Sequence, residues 1–136
     1  MAGAALPKLV ILGDPSKGDV GKAISEFEAF VKGKAQTIAN FEIEQCKADV
    51  VREADFAVVF GGDGTIISAA RELSESNIPV IGVNLGKLGY LAEFSVRELK
   101  KYFQTIVDGQ ASIEKRMMLS CRVFLDGQQR FASGAI

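Results

Sequence analysis

Phe56-Ala57-Val58-Val59-Phe60-Gly61-Gly62-Asp63-Gly64-Thr65 is an unbroken apolar run that gives way to a glycine turn carrying one acid. Five apolar residues without polar alternation read as a strand buried on both faces, the pattern of a parallel sheet covered by helices. Directly after the turn, Ile66, Ile67, Ala70 and Leu73 mark a helix. A strand, a glycine turn and a helix in immediate succession place the turn at the carboxyl end of a parallel strand, where open α/β sheets take their ligands.

Nearer the N-terminus, Lys8 to Gly13 is a second buried run, closed by Gly-Asp-Pro. Val20, Ile24, Phe27 and Val31 then recur at helical spacing, with Gly33 as the stop. Gln36 to Ile43 reads as a further strand, followed by a short helical stretch through Arg52. Pro79 to Asn84 is the next strand, with Pro79 tolerable as its first residue. Ser95-Val96-Arg97-Glu98 has the form of a capping box, and Val96, Leu99, Phe103, Ile106 and Val107 behind it form one stripe, so a helix is predicted from Val96 to Asp108. Strands and helices alternate as far as Asp108, which predicts a doubly wound, mostly parallel, Rossmann-like α/β sheet with right-handed crossovers. After Gly109 the helical period is lost, and Asp126-Gly127 between two extended runs is a hairpin signal. The expected division is an α/β domain over residues 1–110 and the first strands of an incomplete β-rich domain over residues 111–136.

The 136 residues suffice for one domain with a core, being close to the commonest domain size of roughly 100 to 150 residues. With 16 basic residues interspersed among 17 acidic ones, the chain carries no electrostatic footprint for nucleic acid or an anionic membrane, so small molecules are the expected partners. Met1 to Pro7 lacks the pattern of a secretory signal, and no apolar run is long enough to span a bilayer, so the expected location is cytoplasmic. There is no histidine, and Cys46 and Cys121 lack C-x-x-C spacing; a zinc site, a histidine-based triad and a thioredoxin-type site all lack their parts.

The glycines of the Gly61–Gly64 turn let backbone approach a phosphate or ribose closely, and the free N–H groups of the new helix face any anion there. Asp63 stands near the positive end of the helix dipole, which favours its ionised, acceptor-only form. Gly-Asp-Gly alone leaves a second reading open, in which Asp63 merely caps the helix and the glycines merely turn the chain. Neither the dinucleotide fingerprint nor the Walker loop is present.

Three stretches together narrow the choice. They are Gly61 to Thr65 with Ala69-Ala70-Arg71, then Gly82-Val83-Asn84-Leu85-Gly86-Lys87-Leu88-Gly89-Tyr90-Leu91, then Glu114-Lys115-Arg116-Met117-Met118-Leu119. On these the chain resembles the NAD kinases. The first stretch is shared with phosphofructokinases and with diacylglycerol and sphingosine lipid kinases; the second is more specific, and the third is similar to the entry into the β-rich substrate domain. The resemblance implies phosphoryl transfer from ATP, another triphosphate or polyphosphate to the adenosine-ribose 2′-hydroxyl of NAD, with a divalent cation, Mg2+, arriving on the triphosphate and a homo-oligomer when complete. It implies that Asp63 is the catalytic residue that contacts the ribose and accepts the hydroxyl proton, that Gly64 is its backbone-contact neighbour, and that Ile67 and Tyr90 line the NAD site.

Ser68 departs from the pattern, standing where many members carry a basic residue near a phosphate. Ile67 as plain core, Tyr90 as buried packing and Lys87 as a solvated loop lysine are the competing readings. In the family, an Asn-Glu or Asn-Asp pair that grips the adenine end follows the segment matching Gly134-Ala135-Ile136, so the chain is expected to stop short of a complete enzyme and to be inactive alone. A related phosphotransferase of phosphofructokinase or lipid-kinase type and a non-catalytic nucleotide-binding module are the alternatives.

Overall fold

The computed structural model describes residues 5–86 and 89–136; Lys87 and the first four residues of the Met1–Pro7 stretch lie outside it. Four strands, β1 (Lys8–Leu12), β2 (Gln36–Phe41), β3 (Phe56–Phe60) and β4 (Val80–Val83), pair in parallel in the order β2-β1-β3-β4. The helices α1 (Val20–Val31), α2 (Ala48–Val51), α3 (Asp63–Leu73) and α4 (Val96–Val107) connect or follow them. The pair β5 (Leu119–Leu125) and β6 (Gln128–Ala135) then forms a separate antiparallel hairpin.

The apolar runs behave as their patterns require. In β1, Leu9 and Ile11 join one buried cluster while Val10 and Leu12 join the other, because successive side chains of a strand point to opposite faces. β3 divides in the same way, Phe56, Val58 and Phe60 against Ala57 and Val59. One face is covered by α1 and α4 through Phe27, Val31, Leu99 and Phe103, and the opposite face by α2 and α3 through Val51, Ile66, Ala69 and Leu73. Helices on both faces make the sheet doubly wound, as predicted. The α1 and α4 side is held by a cluster of rings, with Phe103 at 5.8 Å from Phe27, 5.7 Å from Phe30 and 6.3 Å from Phe56, mostly edge to face.

Two local elements differ from the sequence-based expectation. β2 ends at Phe41, two residues before Ile43, and Ile43–Gln45 forms a single 3-10 turn. The helical stretch before Arg52 is one turn, Ala48–Val51. β2 is an edge strand whose residues are half-buried or exposed, so its apolar pattern specifies its end weakly. The capping box forms as read: Ser95 Oγ accepts from Glu98 N at 3.1 Å, and Ser95 N donates to Glu98 Oε1 at 3.3 Å. Asp126 and Gly127 take φ of 51° and 75°, the paired positive values of a two-residue hairpin turn. All seven residues of β5 are exposed. Cys46 and Cys121 are free thiols. No helix among the described residues is long and apolar enough to cross a membrane.

Candidate functional site

β3 delivers its chain directly into Gly61, whose N–H donates to Val83 O of β4 at 2.9 Å and whose φ of 153° is open mainly to glycine. A Cβ there would also lie 2.5–2.8 Å from the side chain of Thr65, so the first turn of α3 folds back onto the glycine. Gly62 is the N-cap of α3, and Asp63 is the first helical residue. The carboxylate of Asp63 makes no cap bond to the helix. It reaches the segment after β4, accepting from Tyr90 N at 2.8 Å on Oδ2, and from Leu91 N at 2.9 Å and Ala92 N at 3.3 Å on Oδ1. The reading of Asp63 as a mere helix cap is therefore set aside.

Those bonds act on its acidity. The Tyr90 N–H, and after it the Leu91 N–H, hold the Asp63 carboxyl below the usual aspartate value of 3.8, against partial desolvation and with a smaller push from Ala92 N–H. The group is ionised throughout the neutral range. A carboxylate offers about four lone-pair sites, and the described residues occupy three, two on Oδ1 and one on Oδ2. Oδ2 carries fewer of these bonds than Oδ1, so among the described residues it is the oxygen open to a ligand hydroxyl.

The segment that Asp63 holds is tied down at its roots. Asn84 N donates to Phe94 O at 2.8 Å, Phe94 N to Gly82 O at 3.2 Å, and Asn84 Nδ2 to Ala92 O at 3.2 Å, so the chain leaves β4 and returns beside it. Gly82 allows this closeness: a Cβ there would collide with Ile66 Cδ1 and stand 3.1 Å from Ala92 Cα and Leu91 O.

A cavity of about 500 Å³ opens beside this arrangement, lined by Asp63, Ile67, Tyr90 and Leu91 on one side and by Glu114, Lys115, Arg116, Met117 and Ile136 on the other. It brings together three of the four residues singled out from the sequence. Tyr90 is 93% exposed, which excludes a role in the core. Ile67 is 36% exposed while its neighbour Ile66, at 6%, takes the core position. Gly64 is exposed beside the cavity, with nothing within 4 Å of where its Cβ would be, so backbone there is open to close approach. Ser68 is half-buried and does not line the cavity.

The opposite wall falls largely in the Glu114 to Leu119 stretch, which the sequence reads as the entry to a β-rich domain without giving its residues a ligand contact. Glu114 to Met117 is a connection without regular structure, and its Arg116 pairs with Glu114 at 3.2 Å. The sequence signal for it was the charged triplet itself, following the last helix and preceding the hairpin. Among the described residues no group of three or more acidic, cysteine or histidine side chains could hold a metal ion.

The fold and the site together define an open, doubly wound α/β domain with a polar cavity beyond the carboxyl ends of β3 and β4, faced by an ionised aspartate. Residues 11–111 match the ATP-NAD kinase N-terminal domain. An NAD kinase of Natranaerobius thermophilus is 36% identical over 111 residues, covering 79% of this chain and 39% of that protein. A crystal structure of yeast NADH kinase complexed with NADH superposes with a TM-score of 0.77 at 22% identity, over 96% of this chain and 46% of that one. The structure of an NAD kinase from Archaeoglobus fulgidus in complex with ATP gives a TM-score of 0.61 at 21% identity, over 91% of this chain and 45% of that one. The chain belongs to the NAD kinase family, and it spans about two fifths of the length of the curated relative.

Proposed function

We propose that this chain carries the half of an NAD kinase site that presents the acceptor hydroxyl, and that in a protein of its relatives' length the reaction is NAD plus ATP, or another triphosphate or polyphosphate, to NADP. The observation that carries the proposal is Asp63, ionised at the mouth of the cavity beside Ile67 and Tyr90, with Oδ2 accepting one bond from the described residues. A ribose 2′-hydroxyl donating to Oδ2 would be held with its oxygen lone pairs free to attack the terminal phosphorus. The new P–O bond forms as the bond to the leaving phosphate oxygen breaks, and the proton passes to Asp63 and then to water. A carboxylate held below the ordinary range is a weak base, so its work is chiefly orientation, with proton transfer late. That suits phosphoryl transfer, where the transition state is loose and positioning supplies much of the rate.

Gly64 would let backbone meet the ribose, Tyr90 and Ile67 would flank the adenosine end, and Lys115 and Arg116 on the opposite wall would face the dinucleotide's phosphates. With no carboxylate cluster to cage an ion among the described residues, Mg2+ would come with the triphosphate. Residues 1–110 act as the α/β domain in this reading, and residues 111–136 as the start of a β-rich substrate domain. In a protein of the relatives' length the reading extends to a cytoplasmic homo-oligomer, and the 136 residues alone, about two fifths of that length, are expected to have no appreciable kinase activity.

The test is Asp63→Asn in a protein extended to the relatives' length, assayed for NADP formation. A loss of about 100- to 10,000-fold in turnover, exceeding any loss of NAD affinity, is expected. Near-normal turnover would remove the role given to this carboxylate.

A further inference from the structure

We propose that Gly89 is a positioning residue for Asp63: only a residue without a side chain there lets the carboxylate lie against the Tyr90–Ala92 backbone and fix the Tyr90 wall of the cavity. This rests on the reading of Asp63 as the carboxylate that meets the acceptor hydroxyl. A Cβ built on Gly89 would run into Asp63 Oδ1 and stand 2.7 Å from Cγ and 2.8 Å from Oδ2. The contrast with neighbouring glycines is informative. Gly86 has a φ of 140° and, among the described residues, nothing within 4 Å of where its Cβ would be, so its requirement is one of backbone conformation, whereas at Gly89 the requirement is clearance for another residue's functional group.

The displacement an alanine would force follows from contact distances. Carbon atoms rest at about 3.5–4.0 Å, so a methyl group at Gly89 must drive the carboxylate and the turn apart by about 1 Å from the 2.7 Å separation. The Ala92 bond, already 3.3 Å, could not survive that, and the Tyr90 and Leu91 bonds at 2.8 and 2.9 Å would be stretched or broken. Rotation of the Asp63 side chain away from the methyl group has the same result, because the carboxylate then leaves the turn. Gly89 contributes no atom to a ligand contact in this account. It acts through Asp63, and Asp63 in turn holds the main chain from which Tyr90 projects.

The test uses the 136-residue chain and needs no catalysis, so its outcome is separate from that of the kinase assay. Amide exchange at Tyr90, Leu91 and Ala92 is followed by NMR in the parent, Gly89→Ala, Asp63→Ala and the double variant, and the carboxyl titration of Asp63 in the parent and Gly89→Ala. In Gly89→Ala the three amides are expected to exchange about 10- to 100-fold faster, as befits loss of bonds to a charged acceptor, and the Asp63 titration to move up toward the ordinary aspartate value. In the Asp63→Ala background, Gly89→Ala should add nothing further, since coupled residues are non-additive. Unchanged protection and titration in Gly89→Ala, or an equal effect with and without Asp63, would overturn the proposal. Should Gly89→Ala fail to fold, judged by the β1 and β3 amides, Asp63→Ala alone must still release the three amides; their retention would overturn it equally.

Discussion

Replacing Tyr90 by alanine should separate binding from stability in a way that few substitutions in this chain can. The ring is 93% exposed, so its removal opens no cavity and uncovers no core residue. The main chain of Tyr90 stays anchored, because its bond to Asp63 Oδ2 at 2.8 Å comes from the backbone N–H. Exposed substitutions of this kind usually change stability by less than about 0.5 kcal/mol, which in a domain of about 100 residues is a few degrees of Tm at most. The cost should appear in NAD binding. Stacking of a base on an aromatic ring is worth about 1–3 kcal/mol by alanine substitution, and 1.4 kcal/mol is a factor of ten, so KM for NAD should rise about 5- to 150-fold. The thermal midpoint is measured by circular dichroism on the 136-residue chain, and the KM values for NAD and the triphosphate in the extended protein. A KM for NAD that does not move, or an equal rise for both substrates with a lowered midpoint, would mean that this ring does not meet NAD.

Other parts of the molecule have their own tests. Phe103→Ala removes a ring that is 1% exposed and packed on three other phenylalanines, so urea denaturation should show a loss of about 3–5 kcal/mol, and Phe103→Leu less than about 1.5 kcal/mol; a small effect of the alanine would mean that α4 is not integral to the core. In the 136-residue chain, hydrogen exchange should find β1 and β3 strongly protected and β5 and β6 weakly so, with concentration-dependent association through the exposed hairpin visible by sedimentation, since two strands alone are marginal. Strong protection of the hairpin in a monomer would show that it is a finished element.

What the sequence disclosed depended on the kind of signal each part emits. β1 and β3 were legible because strands buried on both faces spell themselves as uninterrupted apolar runs, and α4 because Ser95 and Glu98 announce its start. The limit of β2 was not, since an edge strand with half-buried residues has no sharp pattern, and the single turn of α2 is too short to show a period. At the site, Asp63, Ile67 and Tyr90 were named from the sequence and line one cavity. The grip of Asp63 on three main-chain N–H groups could not be read there, because every residue other than proline has such a group and only the fold says which converge. Gly89 was seen as part of a motif but its clearance for a side chain 26 positions earlier is a property of space alone. Glu114 to Met117 becomes a wall only when a connection of irregular structure is folded across α3.

The strand order has a bearing on how the chain comes to be assembled. β1 lies between β2 and β3, yet precedes both, and Lys8 N meets its partner Asp55 Oδ2 at a separation of 47 residues. During synthesis at about 5–20 residues per second, Leu9 to Leu12 is therefore finished seconds before either neighbouring strand exists to pair with it. This is the most apolar piece of the sheet, and it is the piece with the longest wait. Its flanks suit that interval: Pro7 and Lys8 precede it and Asp14 and Pro15 follow it, the charged and ring-closed residues that discourage a nascent strand from adding to a stranger's edge. Pro7, Lys8, Asp14 and Pro15 stay exposed or half-buried once the sheet has formed, so their chemistry bears on the waiting strand rather than on the finished core.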